Sequence, residues 1–260
     1  MKKILIALLS ASFALAKGLV VLDPAAVEII YALGAQDQIA AISTTSMSKI
    51  RPEAETAKLP SVGTYVKPNM EKIVELKPDL VITSFHSAGV SENLQKLGLK
   101  SLAMDANSTA DICQNVKKVA AIVKKESEAD KICAQMDGIF ADKPALRGKK
   151  VALFFGSNAT MAFNDKTLVG DIFARLGAKN IADGLKGSTP SVSAEYILEQ
   201  NPDIIVVVGG ETEDFLKANP ILRNTKAVKS GKILKAPTLI LRGSPQIGET
   251  VDEIYAEAVK

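Results

Sequence analysis

His86 is the single histidine of the chain and the first candidate for chemistry. It follows the apolar run 80–85, which predicts a buried strand, so His86 should lie just beyond the end of that strand. One histidine cannot build a multi-histidine metal centre within one chain. A neutral imidazole at that position could ligate iron or cobalt, bond to the loop backbone, or act as a catalytic base.

Cys113 and Cys133 are the two thiols of the sequence. Apolar residues recur at three- and four-residue spacings over 109–140, which predicts one long helix. On such a helix the two cysteines would lie about 30 Å apart, far beyond the roughly 7 Å that a disulfide spans. We therefore expect both cysteines to be buried, reduced thiols.

The rest of the chain alternates between short apolar runs and amphipathic stretches. This pattern predicts parallel strands that are connected by right-handed helical crossovers. The expected strands are 19–22, 39–42, 80–85, 101–104, 150–155, 204–208 and 232–235, and the expected helices are 25–33, 69–76, 91–97, 169–176, 194–200 and 245–259.

One phrase occurs twice, about half a chain apart. The pattern Glu-x-Ile-aliphatic-Glu-x-x-Pro-Asp, followed by three aliphatic residues, begins at Glu71 and again at Glu195. Each copy predicts a short helix, a Pro-Asp turn and a strand buried on both faces. The repetition predicts an α/β fold with two lobes, each a mostly parallel sheet flanked by helices. We expect the amino-terminal lobe over 17–107, one long interlobe helix over 108–142 and the carboxyl-terminal lobe over 143–260.

Two such lobes would place a ligand-binding cleft between the carboxyl ends of their strands. The loops expected there include Tyr65, His86 and Arg242. They are 23–24, 44–48, 63–67 and 85–89 in the first lobe, and 156–159, 187–190, 209–213 and 238–244 in the second. The sequence contains neither a phosphate-binding glycine loop nor a Gly-x-Ser-x-Gly nucleophile elbow.

Composition and charge exclude several classes of protein. The chain is 47% hydrophobic and 23% charged, as in ordinary globular proteins, so disordered and fibrous classes are excluded. Its 32 Lys and Arg residues against 29 Asp and Glu residues give a net charge of +3, which is too balanced to favour nucleic-acid binding.

Residues 1–16 predict a cleaved signal peptide. Lys2 and Lys3 precede an apolar run that ends in Ala14-Leu15-Ala16, a typical cleavage pattern. As a helix the run 4–16 would span about 20 Å, less than the roughly 30 Å of a bilayer core. No cysteine near Ala16 offers a lipid attachment site. We expect a soluble periplasmic monomer that begins at Lys17.

Several stretches together resemble the periplasmic binding proteins that have one long helix between their lobes. They are 20–35, Val62-Gly63 with 69–82, Gly170-Asp171-Ile172 with 176–180, 201–203 and 227–232. The resemblance covers nearly all of the chain beyond the signal peptide. It implies a fairly rigid receptor, without catalysis or a cofactor of its own, that delivers a ferric siderophore, haem or cobalamin to an ABC importer.

The resemblance also implies roles for individual residues. Glu71 and Glu195 match one surface glutamate on each lobe that docks on arginines of the permease dimer in the inner membrane. Tyr65 lies one position after the place where haem-binding members carry an iron-ligating tyrosine, and Arg242 matches a basic cleft position. The predicted metal ligands are therefore His86 and Tyr65, and Arg242 would pair with an anionic group of the ligand.

Residue type alone allows simpler roles for the same side chains. Glu71 and Glu195 would be solvated first-turn residues that the helix dipole favours. Tyr65 would pack its ring on the lobe, and Arg242 would be solvated.

An iron chelate, with haem ahead of a siderophore, is the ligand that these patterns favour. Within the same family, cobalamin or a metal oxyanion held by Arg242 and loop N–H groups is the alternative. An exported α/β hydrolase is the alternative from another class, with His86 as base and Ser84 or Ser87 as the nearest hydroxyl. A binding protein that acts as a sensor without an importer is a third reading.

Overall fold

The structure is a computed structural model that describes residues 18–46, 48–84, 87–157 and 160–260. The predicted signal peptide over residues 1–16 and the candidate ligand His86 lie outside these ranges. Within the described ranges, none of the helices combines the length and the apolar character needed to cross a bilayer.

The amino-terminal lobe is built on a five-stranded sheet in the order β3-β2-β1-β4-β5. All neighbouring strands are parallel. The strands are β1 Leu19–Val21, β2 Ile39–Thr44, β3 Ser61–Thr64, β4 Leu80–Ser84 and β5 Ser101–Met104, and the helices are α1 Pro24–Ala32, α2 Glu53–Thr56, α3 Met70–Leu76 and α4 Ala88–Lys96. The central strand β1 is buried along its whole length, as expected of a sheet covered by helices on both faces.

The predicted single helix over 109–140 is wrong. The segment forms two helices, α5 Thr109–Val123 and α6 Glu126–Gly138. Lys124 ends α5 in the left-handed conformation with a φ of 58°, and the N–H of Lys125 donates to the carbonyl of Ala120 at 2.9 Å. The chain therefore turns back, and both helices bury one apolar face. Because that face continues through both helices, the apolar spacing resembled that of one long helix; the polar run 124–128 marks the break.

The turn brings Cys113 and Cys133 together, so the expectation of two reduced thiols is wrong as well. The cysteines form a disulfide, and their Cα atoms lie 5.4 Å apart. An ion pair of 3.3 Å between Lys117 and Asp130 also joins the two helices. The separation of about 30 Å held only for a continuous helix.

The carboxyl-terminal lobe has a parallel four-stranded sheet in the order β7-β6-β8-β9. Its strands are β6 Lys150–Phe155, β7 Lys179–Asn180, β8 Ile204–Val208 and β9 Ile233–Ala236, and its helices are α7 Leu168–Arg175, α8 Ala194–Gln200, α9 Thr212–Ala218, α10 Lys226–Lys229 and α11 Ile247–Val259. All five residues of β8 are buried. The two parallel sheets flanked by helices confirm the predicted α/β fold with two lobes.

The repeated phrase folds in the same way in both lobes. Helices α3 and α8 each have seven residues, and their first turns are capped by the side chains of Asn69 and Ser193. Each helix ends at a residue in the left-handed conformation, Lys77 in one lobe and Asn201 in the other. The similar sequences therefore specify the same helix, turn and strand twice.

One apolar core connects the two lobes. It includes Ile29 and Ile82 of the first lobe, Ile112 of α5 and Phe173 of α7, all buried. A large apolar interface restricts the relative motion of two lobes. The core therefore favours a fixed relation between the walls of the cleft.

Candidate functional site

A cavity of about 190 Å³ lies between the lobes, where the strands end. The first lobe contributes the start of α1, the loops after β2 and β3, and the ends of β4 and β5. The second lobe contributes the segment 238–243. The lining residues are Asp23, Pro24, Ala25, Thr45, Ser48, Tyr65, Ser84, Met104, Asp105, Ala106, Asn115, Thr238, Leu241, Arg242 and Gly243.

Two of the three predicted ligand-binding residues, Tyr65 and Arg242, line this one cavity. His86 lies outside the described residues, although Ser84, two positions earlier, lines the cavity. Sequence reasoning missed the stretch 104–106 and Asn115. The first could have been found, because 104 ends a predicted strand and the loop beyond it must lie at the same edge. Asn115 is on a helix, and its Nδ2 donates to the carbonyl of Asp105 at 2.7 Å.

Tyr65 follows β3 and is held by its backbone. Its N–H donates to the carbonyl of Thr44 at 3.2 Å. The side chain is half-buried, and no residue in the described part of the chain hydrogen-bonds its hydroxyl. A ligand in the cavity could therefore take this hydroxyl as a partner.

The guanidinium of Arg242 is bound on several sides by the first lobe. Its Nη1 lies 2.5 Å from Oε1 of Glu28 and donates to the carbonyl of Lys49 at 2.6 Å. Its Nη2 donates to the hydroxyl of Ser48 at 2.5 Å and to the carbonyl of the same residue at 3.3 Å. The Arg242 side chain is only 8% exposed. It is thus a link between the lobes as well as a part of the cavity wall.

Glu28 is the centre of this link. Its side chain has no exposed surface, and it accepts hydrogen bonds from Arg242, from the hydroxyl of Ser244 and, at 3.0 Å, from the backbone N–H of Arg51. The guanidinium of Arg51 lies 3.5 Å from the same carboxylate and 3.3 Å from Glu249. Two acidic and two basic side chains thus balance one another.

Among the described lining residues, the charged side chains other than Arg242 are carboxylates. Asp23 caps α1 and accepts the N–H groups of Ala25 and Ala26 at 2.7 and 3.0 Å. Asp105 accepts the N–H of Ala106 at 2.9 Å. Since Glu28 balances Arg242, the carboxylate of Asp105 is exposed to a ligand in the cavity without a neighbouring cation among the described lining residues. The start of α1 is occupied by Asp23, so this helix end is not open to an anion.

The hydrolase alternative receives no support from Ser87. Its hydroxyl is buried and donates to the carbonyl of Ser84 at 2.8 Å. Among the residues that the structure describes, no three His, Cys, Asp or Glu side chains are grouped so that they could hold a metal ion.

The comparison with protein families decides which class of protein this is. The family described as periplasmic binding protein matches residues 19–238. The chain belongs to this family. The match includes both sheets and most of the cavity wall, so the resemblance seen in the sequence is confirmed.

Relatives of this periplasmic binding protein bind different ligands. The chain is 28% identical over 240 residues to the vitamin B12-binding protein of Salmonella choleraesuis, which covers 88% of this chain and 85% of that protein. It is 31% identical over 201 residues to the ferric-anguibactin-binding protein FatB of Vibrio anguillarum, and this match covers 69% of this chain and 62% of that protein. The crystal structure of the periplasmic haem-binding protein HutB of Vibrio cholerae has the same fold, with a TM-score of 0.79 at 23% identity over 92% of this chain and 98% of that one.

The two predicted docking residues of this periplasmic binding protein have equivalent positions. Glu71 and Glu195 are exposed and lie in the first turns of α3 and α8. Hydrogen bonds from its own backbone N–H and from Ser193 hold the pKa of Glu195 below its ordinary value. Because each helix runs back toward the start of the next strand, its first turn lies near the edge of the sheet that bears the cleft.

Proposed function

We propose that this protein is the periplasmic receptor of an ABC importer and that it captures a metal chelate, cobalamin or an iron chelate, in the interlobe cleft. The main observation in support of this proposal is the cavity between two lobes of a periplasmic binding protein, with Tyr65 and Arg242 in its wall. The protein would bind and deliver its ligand without changing it. The predicted signal peptide over 1–16 supports export of the chain.

The charge of the wall orders the candidate ligands. Asp105 repels carboxylates, and Arg242 is already neutralised by Glu28. Haem carries two carboxylate arms, whereas the arms of cobalamin end in amides that can donate to Asp105. We therefore rank cobalamin before haem, which reverses the order that the sequence favoured. A ferric siderophore with amide or cationic groups fits the same wall, and an oxyanion fits it worst.

The apolar part of the wall would face the flat part of the chelate. Pro24, Met104 and Leu241 line the cavity and offer such a surface, and the ring of Tyr65 could stack on the ligand. The cavity of about 190 Å³ is smaller than the roughly 300–1,000 Å³ that enclose a drug-sized ligand. The ligand would therefore enter by one edge and remain partly outside. His86 and the hydroxyl of Tyr65 remain the proposed metal ligands.

A titration of the chain from Lys17 onward tests this function. Cyanocobalamin, haemin and a ferric siderophore are added separately, and absorbance, melting temperature and product formation are followed. We expect saturable binding with a rise in melting temperature, strongest for cyanocobalamin, and no conversion of the ligand. Failure of all three chelates to bind would overturn the proposal. Tighter binding of haemin than of cyanocobalamin would overturn the order of ligands.

A further inference from the structure

We infer that Glu28 is a specificity-determining residue, because it neutralises Arg242 and so keeps the cleft from attracting anionic ligands. The inference rests on the proposed capture of a chelate in this cleft. It concerns a side chain that has no exposed surface and touches no ligand itself. The effect reaches the cleft through the guanidinium that lines it.

The geometry places the opposing charge directly behind the cavity wall. Oε1 of Glu28 lies 2.5 Å from Nη1 of Arg242, and the other carboxylate oxygen accepts from Ser244, two residues further along the same segment. The two ends of the contact come from α1 of one lobe and from the loop before α11 of the other. The loop that carries Arg242 thus lies against the first lobe, and Glu28 already balances the charge of this arginine.

Packing alone would not require a carboxylate at this position. A buried ion pair contributes little net stability compared with apolar residues of similar volume, whereas loss of one partner leaves the other charge uncompensated. An apolar or amide residue at position 28 would leave Arg242 as a cation in the cleft wall. A guanidinium in that state binds carboxylates with two parallel hydrogen bonds. In the wild type, the carboxylate of Glu28 binds this guanidinium in place of a carboxylate from a ligand.

The charges around the cavity show what the removal of Glu28 would change. Glu28 and Glu249 balance Arg51 and Arg242, and Asp105 remains in the wall. Without the charge on Glu28, one positive charge is added next to the cavity. Charges that are partly buried are screened by salt much less than exposed ones, so the change should persist at physiological ionic strength.

The test compares ligands that differ in charge and hardly in shape. One pair is cyanocobalamin and its monocarboxylic acid derivative; the other is haemin dimethyl ester and haemin. The ratio of dissociation constants within each pair is measured for the wild type, Glu28→Gln and Glu28→Asp. Glu249→Gln is the matched control, because it removes the same charge from the same cluster on a side chain that is 82% exposed.

We expect the wild type to prefer the less acidic member of each pair, and Glu28→Gln to shift the ratio toward the acidic member by about tenfold. Glu28→Asp keeps the charge and should keep the preference, and Glu249→Gln should change the ratio less than about twofold. If Glu28→Gln does not fold, Arg242→Gln should shift the ratio in the opposite direction, and the double variant Glu28→Gln/Arg242→Gln should restore it. An unchanged ratio in folded Glu28→Gln, or in Arg242→Gln if Glu28→Gln does not fold, would overturn the inference.

A second readout needs no chelate. Citrate, a small polyanion, should raise the melting temperature of Glu28→Gln saturably and leave that of the wild type and of Glu249→Gln unchanged. If the wild type binds neither pair of chelates and no ferric siderophore, the proposed function fails, yet the citrate result still decides the role of Glu28. An equal effect of citrate on wild type and Glu28→Gln would contradict that role.

Discussion

Asp203 illustrates, at the scale of one residue, how an aspartate in a repeated phrase acquires a specific role. Its carboxylate accepts the backbone N–H of Lys150 at 2.9 Å and pairs with the ammonium of Lys226. Partial burial raises the pKa of Asp203, but the hydrogen bonds from Lys226 and from the backbone N–H of Lys150, together with the positive charges of Lys226 and Lys149, outweigh this effect, so the pKa lies below its ordinary value. The aspartate thereby connects the starts of β6, β8 and α10.

The lowered pKa of Asp203 predicts a pH-dependent contribution to stability. A carboxyl group whose pKa is lower in the folded state stabilises the fold above its unfolded pKa of about 3.9, and this stabilisation is lost as the pH falls through the folded pKa. Asp203→Asn should therefore lower the free energy of unfolding by about 1 kcal/mol at pH 7. The difference from wild type should shrink below about pH 4. Urea unfolding of both proteins at pH 7, 5 and 3 measures this difference in the free energy of unfolding.

Asp79, the equivalent residue of the first lobe, is the control. Its backbone N–H donates to the carbonyl of Gly18, but within the described ranges its carboxylate has no hydrogen bond or ion pair. Asp79→Asn should change the free energy of unfolding by less than about 0.5 kcal/mol. Equal effects of the two substitutions at every pH would contradict the role of Asp203.

Single residues of the site differ in how far the sequence reveals them. Tyr65 and Arg242 could be predicted at the cleft, because each lies in a loop that follows or faces the carboxyl end of a strand. The role of Glu28 could not, because its partner Arg242 lies 214 positions away and the contact depends on how the lobes pack. In the sequence, Glu28 appears as one polar residue in an apolar helix.

At the scale of elements, buried strands were the most predictable feature. The runs 150–155 and 204–208 coincide with β6 and β8, because a strand covered on both faces consists of consecutive apolar residues. The missed strands, β3 and β7, are short and polar and lie at sheet edges. The break between α5 and α6 was missed because a lysine, and neither glycine nor proline, adopts the left-handed conformation there.

The hairpin of α5 and α6 should depend on its disulfide. The bond between Cys113 and Cys133 closes a loop with a sequence separation of 20. Closing a loop of this size restricts the unfolded chain and stabilises a fold by about 3 kcal/mol. Reduction, or replacement of both cysteines by alanine, should lower the free energy of unfolding by about 2–4 kcal/mol. Denaturant unfolding with and without dithiothreitol measures this loss.

The double alanine variant provides the control for the reductant. Because it lacks both sulfurs, dithiothreitol should leave its unfolding curve unchanged. Titration of the native wild type with a thiol reagent should detect no free thiol. Two reactive thiols in the native protein would contradict the disulfide.

Gly170 begins the motif at the start of α7, where the surrounding backbone leaves no room for a side chain. A Cβ atom at this position would lie 1.9 Å from the carbonyl oxygen of Asn164, so α7 packs against backbone that cannot yield. The next residue, Asp171, accepts the N–H and the hydroxyl of Thr109 at 2.8 and 2.7 Å. The close approach thus aligns α7 with the start of α5.

Gly170→Ala should destabilise the fold by about 1–3 kcal/mol, because the helix must shift and Asp171 moves with it. Gly138→Ala is the matched control. It also lies in a helix, but its added Cβ meets no atom within 4 Å. That variant should be neutral or gain up to about 1 kcal/mol. Thermal unfolding of both variants distinguishes the steric effect from helix propensity, and equal stability of the two would contradict it.

At the scale of the whole molecule, the two lobes present the same acidic helix start beside one cleft. The shared apolar core favours a fixed relation between them, so both starts could meet one partner with matching symmetry. Glu71 and Glu195 are exposed and lie outside the cavity wall. Substitution there should therefore affect docking and spare ligand capture.

Charge reversal tests this expectation, and the repeated phrase supplies its own controls. Glu71→Lys and Glu195→Lys should each lower receptor-dependent uptake by about tenfold at low salt, and less at high salt, because exposed charges act mainly on the rate of association. The dissociation constant of the chelate should change by less than about twofold, since neither carboxylate lines the cavity.

Glu75→Lys and Glu199→Lys introduce the same charge one turn further along the same helices, at exposed positions, and should transport almost normally. Transport is measured with the permease and its ATPase reconstituted in vesicles. Normal uptake by both first-turn variants at low salt would reduce Glu71 and Glu195 to helix-start acids, and equal losses in all four variants would point to the net charge of the surface in place of two docking residues.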